Sequence, residues 1–161
     1  MTLKVAIAGL GAVGMPVAKW LDRGVDGLEL AAVSAANVER AKSRVADFHN
    51  PPPVLTLTEL AGVADVVVEC APPEFFVELC ESTLNAGRIF MPLSITSLLL
   101  RMDLLDLARK HNTKIVVPTG AIVGLDAVRA ASYGTIHSVV MKTNKPPKSL
   151  IKYIKETIKT L

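Results

Sequence analysis

Aromatic residues are scarce, 4% of the 161 positions with a single Trp. Surfaces that stack nucleobases are built on Phe, Tyr and Trp, so this scarcity argues against a nucleic-acid module. Cysteine is nearly absent too. Cys70 and Cys80 are too few for a disulfide framework and are not spaced as a metal pattern. They point to a reducing, cytoplasmic compartment and to no metal site. No apolar run reaches the ~18 residues of a membrane span. The longest candidate, residues 89–100, is interrupted by Pro92, Ser94, Thr96 and Ser97. Charge of one sign is lacking over most of the chain. The net charge is +3, but residues 144–161 hold five Lys and one Glu, a local +4, which leaves residues 1–143 at −1. A near-neutral body has no electrostatic footprint for nucleic acid.

Apolar material is abundant. Half the residues are hydrophobic and the mean hydropathy is +0.40. That supplies a core and excludes disorder over most of the length. Lys4 followed by the small apolar run Val5–Ala18 imitates a secretory leader. Three regularly spaced glycines interrupt the run where a turn belongs, so it reads instead as a buried strand entering a turn.

The pattern then alternates. Strands are predicted at Leu3–Ala8, Leu28–Ser34, Val54–Leu57, Asp65–Ala71, Arg88–Leu93 and Lys114–Val117. Helices are predicted at Met15–Arg23, Asn37–Phe48 with Asn37 as N-cap, Thr58–Gly62, Glu74–Ala86 and Ser97–His111. Val66, Val67 and Val68 are contiguous rather than alternating, as a strand buried on both faces requires. This rhythm describes an α/β fold, a doubly wound parallel sheet of the Rossmann type. After Pro118 the rhythm changes. A glycine-bearing loop, a short helix at Asp126–Ser132 and a strand at Thr135–Thr143 read as the beginning of an incomplete second α/β domain. Ile151, Ile154, Ile158 and Leu161 recur at helical spacing opposite Lys152, Lys155 and Lys159. The domains are therefore set at 1–118, 119–148 and a Lys-rich amphipathic tail at 149–161.

Gly9-Leu10-Gly11-Ala12-Val13-Gly14 stands directly after a strand and directly before a helix. Only in that context does the spacing carry meaning. Gly9 permits the tight turn, Gly11 has no side chain to block a diphosphate, and Gly14 lets the helix approach the strand. The amides of the helix start then face the anion. A second strand that ends in Asp or Glu would select NAD through the ribose 2′-hydroxyl. Here it ends in Ser34-Ala35-Ala36-Asn37, with Arg40 one turn on, which is expected to tolerate a 2′-phosphate and hence NADP as well as NAD. Ala71 and Pro72, at the carboxyl end of the Asp65–Ala71 strand, and Ser94, past the next, fall where ligands of such sheets bind. His49, His111 and His137 are scattered and read as structural or solvated, and the two cysteines as buried apolar residues.

The segments VAIAGLGAVG, VVVECAPPE, AGRIFMPLS and above all VPTGAIVGLDAVRAA, followed by MKTNKPPKSL, resemble the L-aspartate dehydrogenase family over about residues 3–150. The Glu-Lys-Pro motif of glucose–fructose oxidoreductase relatives is missing, its place being Met91-Pro92-Leu93. The resemblance implies NAD(P)-dependent oxidation of L-aspartate to iminosuccinate, which can feed NAD biosynthesis, with L-aspartate as small-molecule substrate. It implies that Gly9, Leu10, Gly11, Ala12, Val13 and Gly14 hold the diphosphate. Ser34 and Asn37 would face the adenosine ribose, Ala71 and Pro72 the nicotinamide side, and Thr119, Gly120 and Ala121 the junction with substrate. The family's catalytic His lies in a second domain, and none of the three His here matches it. A truncated product, an isolated remnant and one part of a split enzyme are three open readings, alongside a non-catalytic NAD(P)-binding module. In the first three the chain alone is not expected to turn over substrate, and apolar faces of 125–140 left uncovered by the lost domain predict self-association, a homo-oligomer, or poor solubility. The tail could cover part of that surface or meet an anionic membrane.

Overall fold

The structure, a computed structural model, describes residues 2–119, 125–140 and 142. The chain divides into two compact units, Met1–Ala121 and Ile122–Leu161. The first unit is built on four parallel strands, β1 (Leu3–Ala8), β2 (Leu28–Ser34), β3 (Val66–Glu69) and β4 (Ile89–Pro92), in the order β2-β1-β3-β4. β1 is central because it feeds both halves. Val5, Ala6, Ile7 and Ala8 stand beside Val66, Val67, Val68 and Glu69 on one side and the β2 strand on the other. Two of the expected strands are single parallel bridges at the sheet's edges, Val33 with Val54 and Phe90 with Ile115. Pro51–Pro53 before the first and Pro118 after the second bound these segments, and proline cannot donate to a ladder.

Alternation divides the core into two layers. Val5 and Ile7 face a cluster with Met15, Ala18, Leu21, Val45 and Phe48. Their neighbours Ala6 and Ala8 face Leu60, Phe76, Leu79, Leu84, Phe90 and Leu104. Helices α1 (Gly14–Asp22) and α2 (Val38–Val45) cover the first face. α3 (Leu60–Val63), α4 (Phe76–Asn85), α5 (Ile95–Leu99) and α6 (Asp103–Lys110) cover the second. There Phe76 and Phe90 meet edge to face with centroids 5.6 Å apart. A 3-10 turn at Pro73–Phe75 leads into α4.

The helix expected over Ser97–His111 is two helices. Leu98 and Leu104 are both buried. Six residues apart on one helix, they would point about 120° away from each other. The break at 100–102 turns both inward. Arg101 holds it, donating from Nε and Nη2 to Asp103 at 2.9 and 2.7 Å and from Nη2 to Glu81 at 3.0 Å.

In the second unit, α7 (Leu125–Ala131) occupies the position of the helix expected at Asp126–Ser132. The strand expected over Thr135–Thr143 is not formed over its described residues 135–140. Apolar alternation alone does not make a strand, which needs a partner to share its ladder. The Lys-rich tail lies outside the described residues. Among those described, no helix is long and apolar enough to cross a membrane.

Candidate functional site

Three clefts meet around the turn between β1 and α1, outside the carboxyl ends of the strands. The first, about 310 Å³, is lined by Gly9, Ser34, Leu55, Thr56, Ala71 and Pro72, among others. The second, about 360 Å³, runs along Leu10, Gly11, Asn37, Arg40 and Arg44. The third, about 210 Å³, lies between Ala12 and Val13 on one side and Glu69, Ala71, Leu93 and Ser94 on the other. Ala35 and Ala36 are shared by the first two, and Ala71 by the first and third. Together they form one crevice from β2 past β1 to β4, the place where a doubly wound sheet takes its ligand.

Each glycine has its own geometry. Gly9 sits at φ +104°, and a Cβ there would come 2.5 Å from the Cys70 carbonyl oxygen. A Cβ on Gly14 would lie 1.8 Å from the Gly9 carbonyl oxygen and 3.1 Å from Ile7 Cγ2. Both are glycine for reasons internal to the fold. A Cβ on Gly11 would meet nothing within 4 Å, so packing gives no reason for its being glycine. The space it leaves belongs to the crevice. Close by, the amides of Gly11, Ala12 and Val13 have no hydrogen-bond partner among the described residues, and they sit at the positive end of α1. The cradle fits a diphosphate.

At the β2 end, Ser34 is buried and its carbonyl accepts from the Gly9 amide at 2.8 Å. Asn37 caps α2 as expected, its Oδ1 accepting from the Arg40 amide at 2.8 Å. Arg44, which the sequence reading did not single out, donates from Nη1 to the Leu10 carbonyl at 2.6 Å. It thus ties α2 to the glycine turn. No carboxylate lines this second cleft, whereas two guanidinium-bearing side chains do.

The β3–β4 end holds a residue that the sequence reading passed over. Glu69 closes β3 and is 0% exposed. Its Oε2 accepts from the amides of Leu93 at 3.1 Å and Ser94 at 2.9 Å, and its Oε1 from the Ser94 hydroxyl at 3.1 Å. Its neighbour Cys70 has its thiol pushed up to about 11 by burial and then by the Glu69 charge. Burial above all holds Cys80 up at about 12. Neither is a thiolate at neutral pH, in line with the apolar role expected for both. The signal for Glu69 was an acid inside the run VVVECA, since a charge in a strand buried on both faces must have dedicated partners.

Of the other expected site residues, Thr119 is exposed and does not line the three clefts. Gly120 and Ala121 lie outside the described residues. Neither His49, His111 nor His137 lines the three clefts. His49 instead packs its Nδ1 against Asp22 Oδ2 at 3.0 Å.

Residues 9–118 match the family model described as homoserine dehydrogenase, NAD binding domain. The chain is 45% identical over 144 residues to an L-aspartate dehydrogenase of Bradyrhizobium diazoefficiens, covering 89% of this chain and 51% of that protein. It is 44% identical over 146 residues to L-aspartate dehydrogenase 3 of Bordetella bronchiseptica, covering 90% and 54%. The chain spans about half the length of these curated relatives. The fold is similar to that of scyllo-inositol dehydrogenase from Lactobacillus casei with bound NAD(H) and scyllo-inositol. The TM-score is 0.64 at 17% identity, over 83% of this chain and 41% of that one. The chain therefore belongs to this family of NAD-binding domains, and the curated proteins it resembles are L-aspartate dehydrogenases.

Proposed function

We propose that this chain is the cofactor-binding part of an NAD(P)-dependent oxidoreductase acting on L-aspartate. The observation that carries the reading is Gly11: a glycine with no packing reason, beside unpartnered amides at a helix start, in the middle of the crevice. Bound there, a nicotinamide cofactor supplies the hydride acceptor. The protein's part is to bind and orient it. The 9–14 turn would take the diphosphate, and Ser34 and Asn37 the adenosine ribose. Ala71 and Pro72 would shape the nicotinamide side. With Arg40 and Arg44 on the cleft and no acid, NADP is accepted alongside NAD. Gly120 and Ala121 would extend the site toward substrate. Two unpaired cysteines suit a reducing cytoplasm.

Titration of the purified chain with NAD⁺ and NADP⁺, beside an assay for aspartate-dependent reduction of either, tests the reading. Saturable binding supports it, and no saturation by either nucleotide overturns it. That no histidine lines the clefts favours a second reading for the chain by itself, a module that binds cofactor without turnover. Binding without reduction would select that reading. We further propose self-association through residues 125–140. There Tyr133, Val139 and Val140 are 97%, 62% and 79% exposed, and light scattering would detect it.

A further inference from the structure

We propose that Glu69 makes this crevice favour the oxidised cofactor over the reduced one; the inference rests on the cofactor reading above. The two forms share the adenosine, both riboses and the diphosphate. They differ in the nicotinamide ring, which is a cation when oxidised and neutral when reduced. A full charge near that ring tells them apart electrostatically more strongly than a dipole does.

The third cleft is lined by Ala12, Val13, Glu69, Cys70, Ala71, Leu93 and Ser94. Within that lining Glu69 is the charged group, since the Cys70 thiol is neutral. Its carboxylate is fully buried and accepts three hydrogen bonds, so it cannot swing out to water. A buried charge is screened far less than a surface one. The same three bonds fix the 93–94 segment that forms the cleft's wall. Glu69 is thus a positioning residue as well, and the two roles have separable signatures. Loosening the wall weakens both cofactor forms alike, whereas removing the charge weakens the oxidised form selectively.

The test is direct binding of NAD⁺ and NADH to the full chain, without turnover. The wild type is expected to bind NAD⁺ more tightly than NADH. In Glu69→Gln, which keeps shape and can keep the hydrogen bonds, that preference should fall by at least about tenfold, the scale for one charge within about 10 Å at an effective dielectric of about 20. In Glu69→Asp, which keeps the charge, and in Ser94→Ala, which removes one bond, both affinities should fall together with the ratio retained. An unchanged ratio in Glu69→Gln overturns the proposal and leaves Glu69 a wall anchor. Should that variant not fold, a wild type that binds NADH at least as tightly as NAD⁺ overturns it equally. A wild type that binds neither form defeats the cofactor reading itself, a result distinguishable from both.

Discussion

At the β2 end of the crevice the polar side chains on the lining are neutral or cationic: Ser34, Thr56, Asn37, Arg40 and Arg44. At the β3–β4 end the charged one is Glu69. Between them the 9–14 turn offers amides and no side chain at Gly11. A molecule matching this order carries anionic groups toward one end and at its middle, and a cation at the other. An oxidised pyridine dinucleotide, above all one with a 2′-phosphate, has that order of charge. The two ends are also held differently. The β2 end is shaped by helix α2, its Asn37 cap and the tie from Arg44 to Leu10. The other is held by one carboxylate accepting from a loop 24 and 25 residues further along the chain.

The largest expected effects remove the comparison altogether. Gly14→Ala puts a methyl into the Gly9 carbonyl, and Gly9→Ala adds a strained positive φ to a clash with Cys70. Each should cost at least about 3 kcal/mol of stability and abolish cofactor binding. Gly11→Ala separates packing from ligand. Its melting behaviour should stay within about 0.5 kcal/mol of wild type, while affinity for both NAD⁺ and NADP⁺ drops about tenfold as the methyl enters the diphosphate's space. Denaturant melts and cofactor titration on the same preparations check the pair. A Gly11→Ala chain with unaltered affinity would mean that the turn is not a ligand cradle.

A smaller effect sharpens one end only. Arg40→Ala should lower NADP⁺ affinity about three- to tenfold, the worth of an exposed charge-assisted contact, and leave NAD⁺ nearly unchanged. Calorimetry with both nucleotides measures it. Equal losses for the two would place Arg40 near the shared diphosphate instead.

The β2 end was largely legible in the sequence, because its determinants are local. The turn follows β1 directly, Asn37 caps the helix that it begins, and β2 runs over Leu28–Ser34 as read. The roles of Gly9 and Gly14 in the fold followed from their spacing between a strand and a helix. At the β3–β4 end Ala71, Pro72 and Ser94 were read but Glu69 was not, because it is explained by partners at Leu93 and Ser94 that no short-range periodicity connects to it. Arg44 was missed for the same reason, its partner Leu10 lying on another element. The break at 100–102 went unseen because the chain has no Pro or Gly there; only the need to bury both Leu98 and Leu104 explains it.

The smallest effect is a pH dependence confined to the supports of the β2 end. The segment leading to Leu55, Thr56 and Leu57 is pinned at two points. Asp22 accepts from the amides of His49 and Asn50, each at 3.1 Å. Glu59 Oε2 accepts from the Thr56 amide and hydroxyl at 2.9 and 2.7 Å. Burial pushes the Asp22 carboxyl up, but its bonds to Asn50 and His49 outweigh that and hold it below its ordinary 3.8. The hydroxyl and amide of Thr56 hold Glu59 below its ordinary 4.5. A depressed carboxylate stabilises the fold fully above its unfolded value, and that contribution is lost as pH falls through the lower folded one. The melting temperature of wild type should therefore exceed that of Asp22→Asn and Glu59→Gln by a constant margin at neutral pH. The margin should shrink below the ordinary values of 3.8 and 4.5. Protection of the Leu55 and Thr56 amides against exchange, relative to their intrinsic rates, should fall over the same range in wild type and be low already at neutral pH in the variants. A margin that persists undiminished into acid would mean that these carboxylates act by shape rather than by charge.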